Sequence, residues 1–373
     1  MKKTLTIILS AILLCSSAAC SQISDVSSDV SSDVSTPAAA SLSDDDLIIP
    51  SSDNGVSEET DHHKLFEDTL SEYKFEGVAY AVRDGKVFSY TNGKTELEVP
   101  FAADMIVPVD SVSKQFCAAL VLLLQEQGKL SVNDTLDKYF PEYTEGSKIT
   151  LEQMMCMRSG ITTYGENIYD VVSQDNTYDE NTKLVTDWLF EQPLKFEPGT
   201  SYHYSNGAYF LLGTIVEKVT GERYIDCLRK NILDPVGMKH TGSVDEMVSS
   251  AEWTGGVTYK NIDLQPGLTK GGGDILTTAG DMTLWMDSLS GGKVLSEESY
   301  EAMTKDYTPT EGYGLGIRVN FFGGFGHPGS IGSYTALDYY DPDYKLTLFF
   351  SGDSISESTI PMLCTDLIRN LKK

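Results

Sequence analysis

The alternation of apolar and polar positions first marks a hairpin. Phe75 to Val82 and Lys86 to Thr91 read as strands, and Asp84-Gly85 between them is a turn that suits the right-handed twist of paired strands. From Asp110 to Gly128 the period changes. Phe116, Ala119, Leu120, Leu123 and Leu124 keep helical spacing, and Gly128 predicts the stop. A second helix pattern covers Tyr209 to Val219 and ends at Thr220-Gly221. Helical patterns and loops fill the region from about 131 to 250. Strand patterns return at Leu315 to Phe322, Ser333 to Tyr340 and Lys345 to Ser351, and Thr359 to Leu371 predicts a closing helix. Strands at both ends with helices between them predict an α/β (α+β) fold: one sheet built from both chain ends, and a helical insertion over roughly 130–260.

The N-terminal stretch departs from these patterns. Lys2 and Lys3 precede a mostly apolar run from Leu5 to Cys15, too short to span ~30 Å of hydrocarbon. Ser16, Ser17, Ala18, Ala19 and Cys20 follow, so residues 1–20 read as an export signal. Cys20, placed after Ala-Ala and before Ser21, resembles a bacterial lipobox, with Ser17 where an aliphatic residue is usual. Lipidation at Cys20 is the expectation, and free secretion after Ala19 is the alternative. Residues 21–63 contain SDVSSDVSSDVS and further acidic, Ser-rich stretches with almost no bulky hydrophobe. Such a segment cannot repay its ordering entropy and is expected to be a disordered tether. His62 and His63 read as its solvated end rather than as metal ligands. Residues 64–373 form the expected globular domain, which either signal places outside the cytoplasm.

Charge and cysteine usage remove several function classes. Acidic residues number 55 against 28 basic ones, for a net charge of -27. That balance argues against nucleic-acid binding, and against an anionic membrane surface except through a lipid anchor. Cys15, Cys20, Cys117, Cys156, Cys227 and Cys364 contain no CxxC, so neither a disulfide scaffold nor a zinc or redox motif is expected. No cofactor or metal is called for.

Three short motifs carry candidate chemistry. In Ser111-Val-Ser-Lys114 the serine opens a helix, where the first N–H groups have no intrahelical acceptor. Lys114 lies one turn on, within reach of the hydroxyl, and a desolvated lysine can act as its base. The same spacing at Ser71-Glu-Tyr-Lys74 and Ser290-Gly-Gly-Lys293 opens no apolar helix and is read as coincidence. In Tyr204-Ser-Asn206 the phenol can shuttle a proton and the amide can orient a substrate. Copies at Tyr90-Thr-Asn92 and Tyr259-Lys-Asn261 read as a hairpin-end turn and a polar loop. In His327-Pro-Gly-Ser330, between strand patterns, Gly329 permits close backbone approach. The Ser330 N–H there could complete an oxyanion hole with that of Ser111. The rival His240-Thr-Gly242 follows a surface-loop pattern.

The set is similar to the serine β-lactamase and penicillin-binding-protein superfamily, in its class C-like branch of stand-alone serine hydrolases. Gln115 to Leu130, Gly199 to Gly221, Pro235 to Thr241 and Gly271 to Met282 also match that family's wording. The resemblance spans nearly all of residues 65–370. It implies an antiparallel sheet flanked by helices, an all-helical subdomain, and an active site between them. It also implies a covalent acyl-enzyme with Ser111 as nucleophile, Lys114 as its base and Tyr204 as proton shuttle. Asn206, His327, Gly329 and Ser330 become substrate-binding groups.

Two departures stand out. His-Pro-Gly replaces the Lys-Thr-Gly of class C β-lactamases, and Met157-Arg-Ser-Gly160 stands where relatives have His-Thr-Ser-Gly. Arg158 is expected to sit in a structural ion pair. His327 is expected to bind an anionic substrate if it carries charge. Cys117, Trp188, Trp253 and Trp285 are expected in the core. The expected activity is acyl transfer from cell-wall peptides ending in D-residues, or from related small amides and esters. A true β-lactamase and a catalytically silent surface-binding lipoprotein on the same fold are the alternatives.

Overall fold

A computed structural model describes residues 61–95, 98–247, 265–353 and 359–373. The export signal with Cys20, most of the tether, Trp253 and Tyr259-Lys-Asn261 lie outside the described residues.

The main elements in chain order begin with helix α1 (His62–Glu72) and strands β1 (Glu76–Arg83) and β2 (Lys86–Asn92). Helices α2 (Ser113–Glu126), α3 (Tyr178–Glu191), α4 (Asn206–Thr220) and α5 (Ala279–Ser290) follow. Strands β3 (Arg318–Phe321), β4 (Gly324–Ile331), β5 (Tyr334–Asp341) and β6 (Leu346–Asp353) complete the sheet, and helix α6 (Ile360–Leu371) closes the chain. The sheet order is β2-β1-β6-β5-β4-β3, and every pairing is antiparallel. The N-terminal hairpin thus docks on the last strand, as strands at both chain ends require.

The hairpin turn forms as the sequence predicts. Asp84 and Gly85 both take positive φ, 50° and 75°, the pair of conformations of a two-residue turn with native twist. One face of the sheet is covered by α1 and α6, where Phe66 and Leu70 meet Leu363, Leu367 and Phe350 in one core cluster. The other face packs against α5 and the helical region. There α2 is nearly all buried, with the Phe116 ring stacked 4.2 Å from that of Trp285. Helix α4 is likewise apolar over most of its length and ends at Gly221, whose φ of 71° provides the left-handed cap.

Two expectations need correction. His62 and His63 do not end a solvated tether: α1 starts there, capped by the Asp61 side chain, and the His62 Nε2 lies 2.7 Å from Arg83 Nη1. The third motif does not lie between strands. It is strand β4 itself, whose Gly and Pro content hides the strand pattern.

Candidate active site

Ser111 lies in a single 3₁₀ turn, Asp110–Val112, that feeds directly into α2. The turn depends on Asp110 adopting φ 51°, a left-handed conformation that Asp tolerates better than most side chains. One turn later Lys114 is fully buried, and its Nζ donates to Ser111 Oγ at 3.0 Å and to the Gly272 carbonyl at 2.5 Å. The same Nζ stands 4.9 Å from the Tyr204 ring centroid and 5.7 Å from that of Tyr209. A serine hydroxyl, an amine and a phenol ring are therefore assembled in one partly buried corner. Ser113 takes no part there: its Oγ accepts the Ile275 N–H at 3.1 Å and ties α2 to a short strand.

The second motif is held by its own capping chemistry. Ser205 caps α4: its Oγ accepts the Ala208 N–H at 3.0 Å and donates to the Thr162 carbonyl at 2.9 Å. The Asn206 N–H donates to Thr163 Oγ1 at 3.2 Å. Gly207 is required by this approach, since a Cβ there would stand 2.6 Å from the Thr162 carbonyl oxygen. These contacts fix the backbone after Tyr204, and the His203 N–H, donating to the Met157 carbonyl at 2.9 Å, fixes it before. The Tyr204 ring centroid lies 6.1 Å from that of His327.

The third motif brings β4 against the nucleophile. A Cβ on Gly329 would collide with the Val109 carbonyl oxygen and stand 3.0 Å from the Ser111 nitrogen. Only glycine lets the strand run so close. Ser330 follows on the same strand and is exposed.

His327 corrects the expectation of a charged anchor. Its side chain is fully buried. Nδ1 lies 2.5 Å from the Pro328 carbonyl and Nε2 2.9 Å from the Tyr313 hydroxyl. A carbonyl can only accept, so Nδ1 carries the hydrogen and the neutral ring's Nε2 accepts from Tyr313. Burial, reinforced by Lys114 and Arg318, holds its pKa well below the usual imidazole value. His327 is thus a neutral structural group and not a cationic substrate anchor. The ratio of kcat/KM for an anionic substrate to that for a neutral ester should stay flat between about pH 5.5 and 8.5, the window of an ordinary imidazole. A ratio that falls as pH rises through neutrality would restore the imidazolium anchor.

Several residues missed by the sequence analysis complete the corner. Gln115, next to Lys114, donates from Nε2 to both Asp338 oxygens at 2.7 Å and accepts the Trp285 indole N–H at 3.2 Å. Asp338 also accepts the His327 N–H at 2.8 Å. This buried bridge locks α2 to β4, and so Ser111 to Gly329. Burial raises the Asp338 pKa to about 7, against the pull of its donors. Asp110 is buried too, with neither carboxyl oxygen hydrogen-bonded among the described residues, and desolvation pushes its pKa well up. Tyr313 and the Gly272 carbonyl are the other contributors. Of these, only the Gly271-Gly-Gly273 run carried a signal in the sequence.

The discounted copies stay apart from the site. Ser71 ends α1, and Ser290 Oγ donates to the Met286 carbonyl at 2.7 Å. Asn92 belongs to β2 and donates to the Phe75 carbonyl at 3.0 Å. In the His240 copy, Thr241 Oγ1 donates to Asp281 at 2.8 Å, a structural bond. Among the described residues Arg158 forms no ion pair: its guanidinium donates to the Gly199 carbonyl, joining the loop after Met157 to the approach to Tyr204. Cys117 and Trp285 are core residues, and Trp188 packs against the core. Among the described residues no group of three or more His, Cys, Asp or Glu could hold a metal ion.

Residues 62–351 match the Beta-lactamase family. The chain is 28% identical over 327 residues to the "Putative penicillin-binding protein PbpX" of Bacillus subtilis, which covers 84% of this chain and 76% of that protein. Its fold is similar to that of D-amino acid amidase from Ochrobactrum anthropi, with a TM-score of 0.72 at 19% identity over 84% of this chain and 99% of that one. It is also similar to the octameric penicillin-binding protein homologue from Pyrococcus abyssi, with a TM-score of 0.65 at 25% identity over 84% and 78% of the two chains.

Proposed function

Because this chain belongs to the Beta-lactamase family, whose fold is that of serine hydrolases, we propose that it is an acyl-transferring hydrolase with Ser111 as nucleophile. The observation that carries the reading is the 3.0 Å contact between Lys114 Nζ and Ser111 Oγ in a buried setting. Neutral Lys114 takes the hydroxyl proton as Oγ attacks the substrate carbonyl carbon. The N–H groups of Ser111 and Ser330 receive the oxyanion. The bond to the leaving nitrogen or oxygen then breaks as Tyr204 gives its hydroxyl proton to that atom, and Lys114 passes the proton taken from Ser111 to the Tyr204 oxygen. Water releases the acid and restores the serine. Asn206 orients the substrate's amide.

The substrate class we assign is small D-residue peptides, amides or esters. D-amino acid amidase shares the fold, and the third motif lacks the Lys-Thr pair of class C β-lactamases. Pro328 has neither hydroxyl nor N–H, and His327 is neutral, so a β-lactam carboxylate loses an anchor there. One charge-assisted hydrogen bond lost costs ~1.5–3 kcal/mol, or roughly one to two powers of ten. β-Lactams should therefore acylate Ser111 and turn over slowly. Turnover of a chromogenic cephalosporin, a p-nitrophenyl ester and a D-Ala-D-Ala peptide ranks the alternatives. A cephalosporin favoured about tenfold in kcat/KM, ~1.4 kcal/mol, would replace this reading with a true β-lactamase.

The working location is outside the cytoplasm, held by a lipid on Cys20. Support comes from the Lys2-Lys3, apolar and Ala18-Ala19-Cys20 order of the N-terminus. Cys20→Ala should move the protein from the membrane fraction to the medium. Wild-type protein already free in the medium with unmodified Cys20 would instead mean ordinary secretion.

A further inference from the structure

A second buried lysine lies behind the first. The loop that presents the Gly272 carbonyl to Lys114 is wound tightly. The N–H groups of Gly272 and Gly273 both donate to the Thr269 carbonyl, at 3.0 and 2.9 Å, and that of Gly271 donates to Asp274 Oδ1 at 3.1 Å. The loop lies directly on α4: a Cβ on Gly271, at φ 69°, would stand 2.8 Å from the Tyr209 carbonyl oxygen. Any shift of this loop moves the acceptor that holds Lys114.

Lys270 anchors that loop from the far side. Its side chain is 1% exposed, and Nζ donates to Glu217 Oε2 at 2.8 Å and to Thr182 Oγ1 at 2.9 Å. The ammonium stands 4.4 Å from the Tyr178 ring centroid and 5.1 Å from that of Phe210. Helix α4 makes room for the stem at Gly213, where a Cβ would come within 3.1 Å of Lys270 Cγ. Glu217 is fixed in turn, accepting the Tyr178 hydroxyl at 2.7 Å and the Tyr224 N–H at 3.0 Å. Burying an ion pair is costly, and an apolar pair of similar volume would serve stability as well or better. The pair is therefore hard to explain by core packing alone.

We propose that Lys270, locked on Glu217 and Thr182, is a positioning residue that sets the Gly272 carbonyl so that Lys114 Nζ is held against Ser111 Oγ. The inference rests on the reading of Ser111 as nucleophile and Lys114 as base. Other charged groups surround both lysines. Arg223, Asp245 and Glu217 act on Lys270. Asp110 and His327 stand near Lys114 from its own turn and from β4, beside the Tyr204 and Tyr209 rings. Removing Lys270 alone would change the local charge, so the informative variant removes the neutral pair.

The test is the time course of Ser111 labelling by a fluorophosphonate in wild type, Lys270→Met and the double variant Glu217→Gln/Lys270→Met. The amplitude reads the folded fraction, and the rate constant reads the site. Lys270→Met strands an ionised Glu217, so its amplitude can fall through misfolding. The double variant keeps the acceptors for Tyr178 and Tyr224 and should label to near wild-type amplitude. Its rate constant should drop about tenfold to a hundredfold, the scale of a slight misplacement. Its acid limb should move to lower pH, because a carbonyl acceptor favours the ammonium form of Lys114. A folded double variant with the wild-type rate constant and limb would overturn the proposal. Equal labelling of Ser111→Ala would instead refute the nucleophile assignment, a separate and visible failure.

Discussion

Ser111→Ala should lower turnover of every ester or amide substrate by about 10⁴-fold or more, equivalent to ~5.4 kcal/mol of transition-state stabilisation. The change removes one oxygen from a turn whose conformation Asp110 and the start of α2 determine. Stability should stay within about 1 kcal/mol, since no packed apolar group is lost. Ser71→Ala and Ser290→Ala serve as controls, because both residues lie at helix ends away from the site. They should leave turnover unchanged. Progress curves for the four proteins, with thermal melts alongside, decide the matter. A Ser111→Ala protein that retains activity within tenfold of wild type would remove Ser111 from the mechanism.

Lys114→Met should be almost as damaging while leaving the fold intact. Loss of a positioned general base costs roughly 10²–10⁴ in rate. Lys114 is wholly buried among the rings of Tyr204 and Tyr209. Methionine fills a similar volume, but it leaves the buried Gly272 carbonyl without the donor that Lys114 supplies, at a cost of about 1–3 kcal/mol. Activity and stability should therefore separate: kcat falls by orders of magnitude while the protein stays folded with a modestly lowered melting temperature. The acid limb of kcat/KM that reports deprotonation of the base should also disappear. Wild-type kcat with an unchanged acid limb would assign the base role elsewhere.

The fold was legible where the pattern is local. The Asp84-Gly85 hairpin and the apolar faces of α2 and α4 need only neighbours along the chain, and each formed near its expected bounds. Strand β4 was hidden because its sequence answers to other strands. Cβ atoms on Gly324 and Gly326 would collide with the carbonyl oxygens of Tyr340 and Asp338 on β5, so glycines interrupt the alternation. Pro328 pairs with Leu337 on β5 and lies beyond the residues that pair with β3, where a missing N–H costs the ladder little. Helix α1 was masked by its polar start, since only Phe66, Thr69 and Leu70 turn inward.

The site divides the same way. Ser111, Lys114 and Tyr204 were readable because short spacing brings the first two together and a cap flanks the third. Gln115 and Asp338 are 223 residues apart, and Lys114 and Gly272 are 158 apart. No local pattern joins such pairs. His327 was misjudged for a related reason: the residue type suggested a charge, whereas the direction of its side chain, into Tyr313 and away from water, settled its state.

The central claim is a covalent acyl-enzyme on Ser111, and the most direct measurement is the mass of the protein during reaction. Wild type mixed with a slowly released β-lactam and quenched in acid should gain the mass of one acyl group. Proteolysis should then place that mass on the peptide containing Ser111, and Ser111→Ala should gain none. An adduct on another residue, or substrate turnover in wild type with no adduct trapped by the β-lactam or by a fluorophosphonate, would contradict the account.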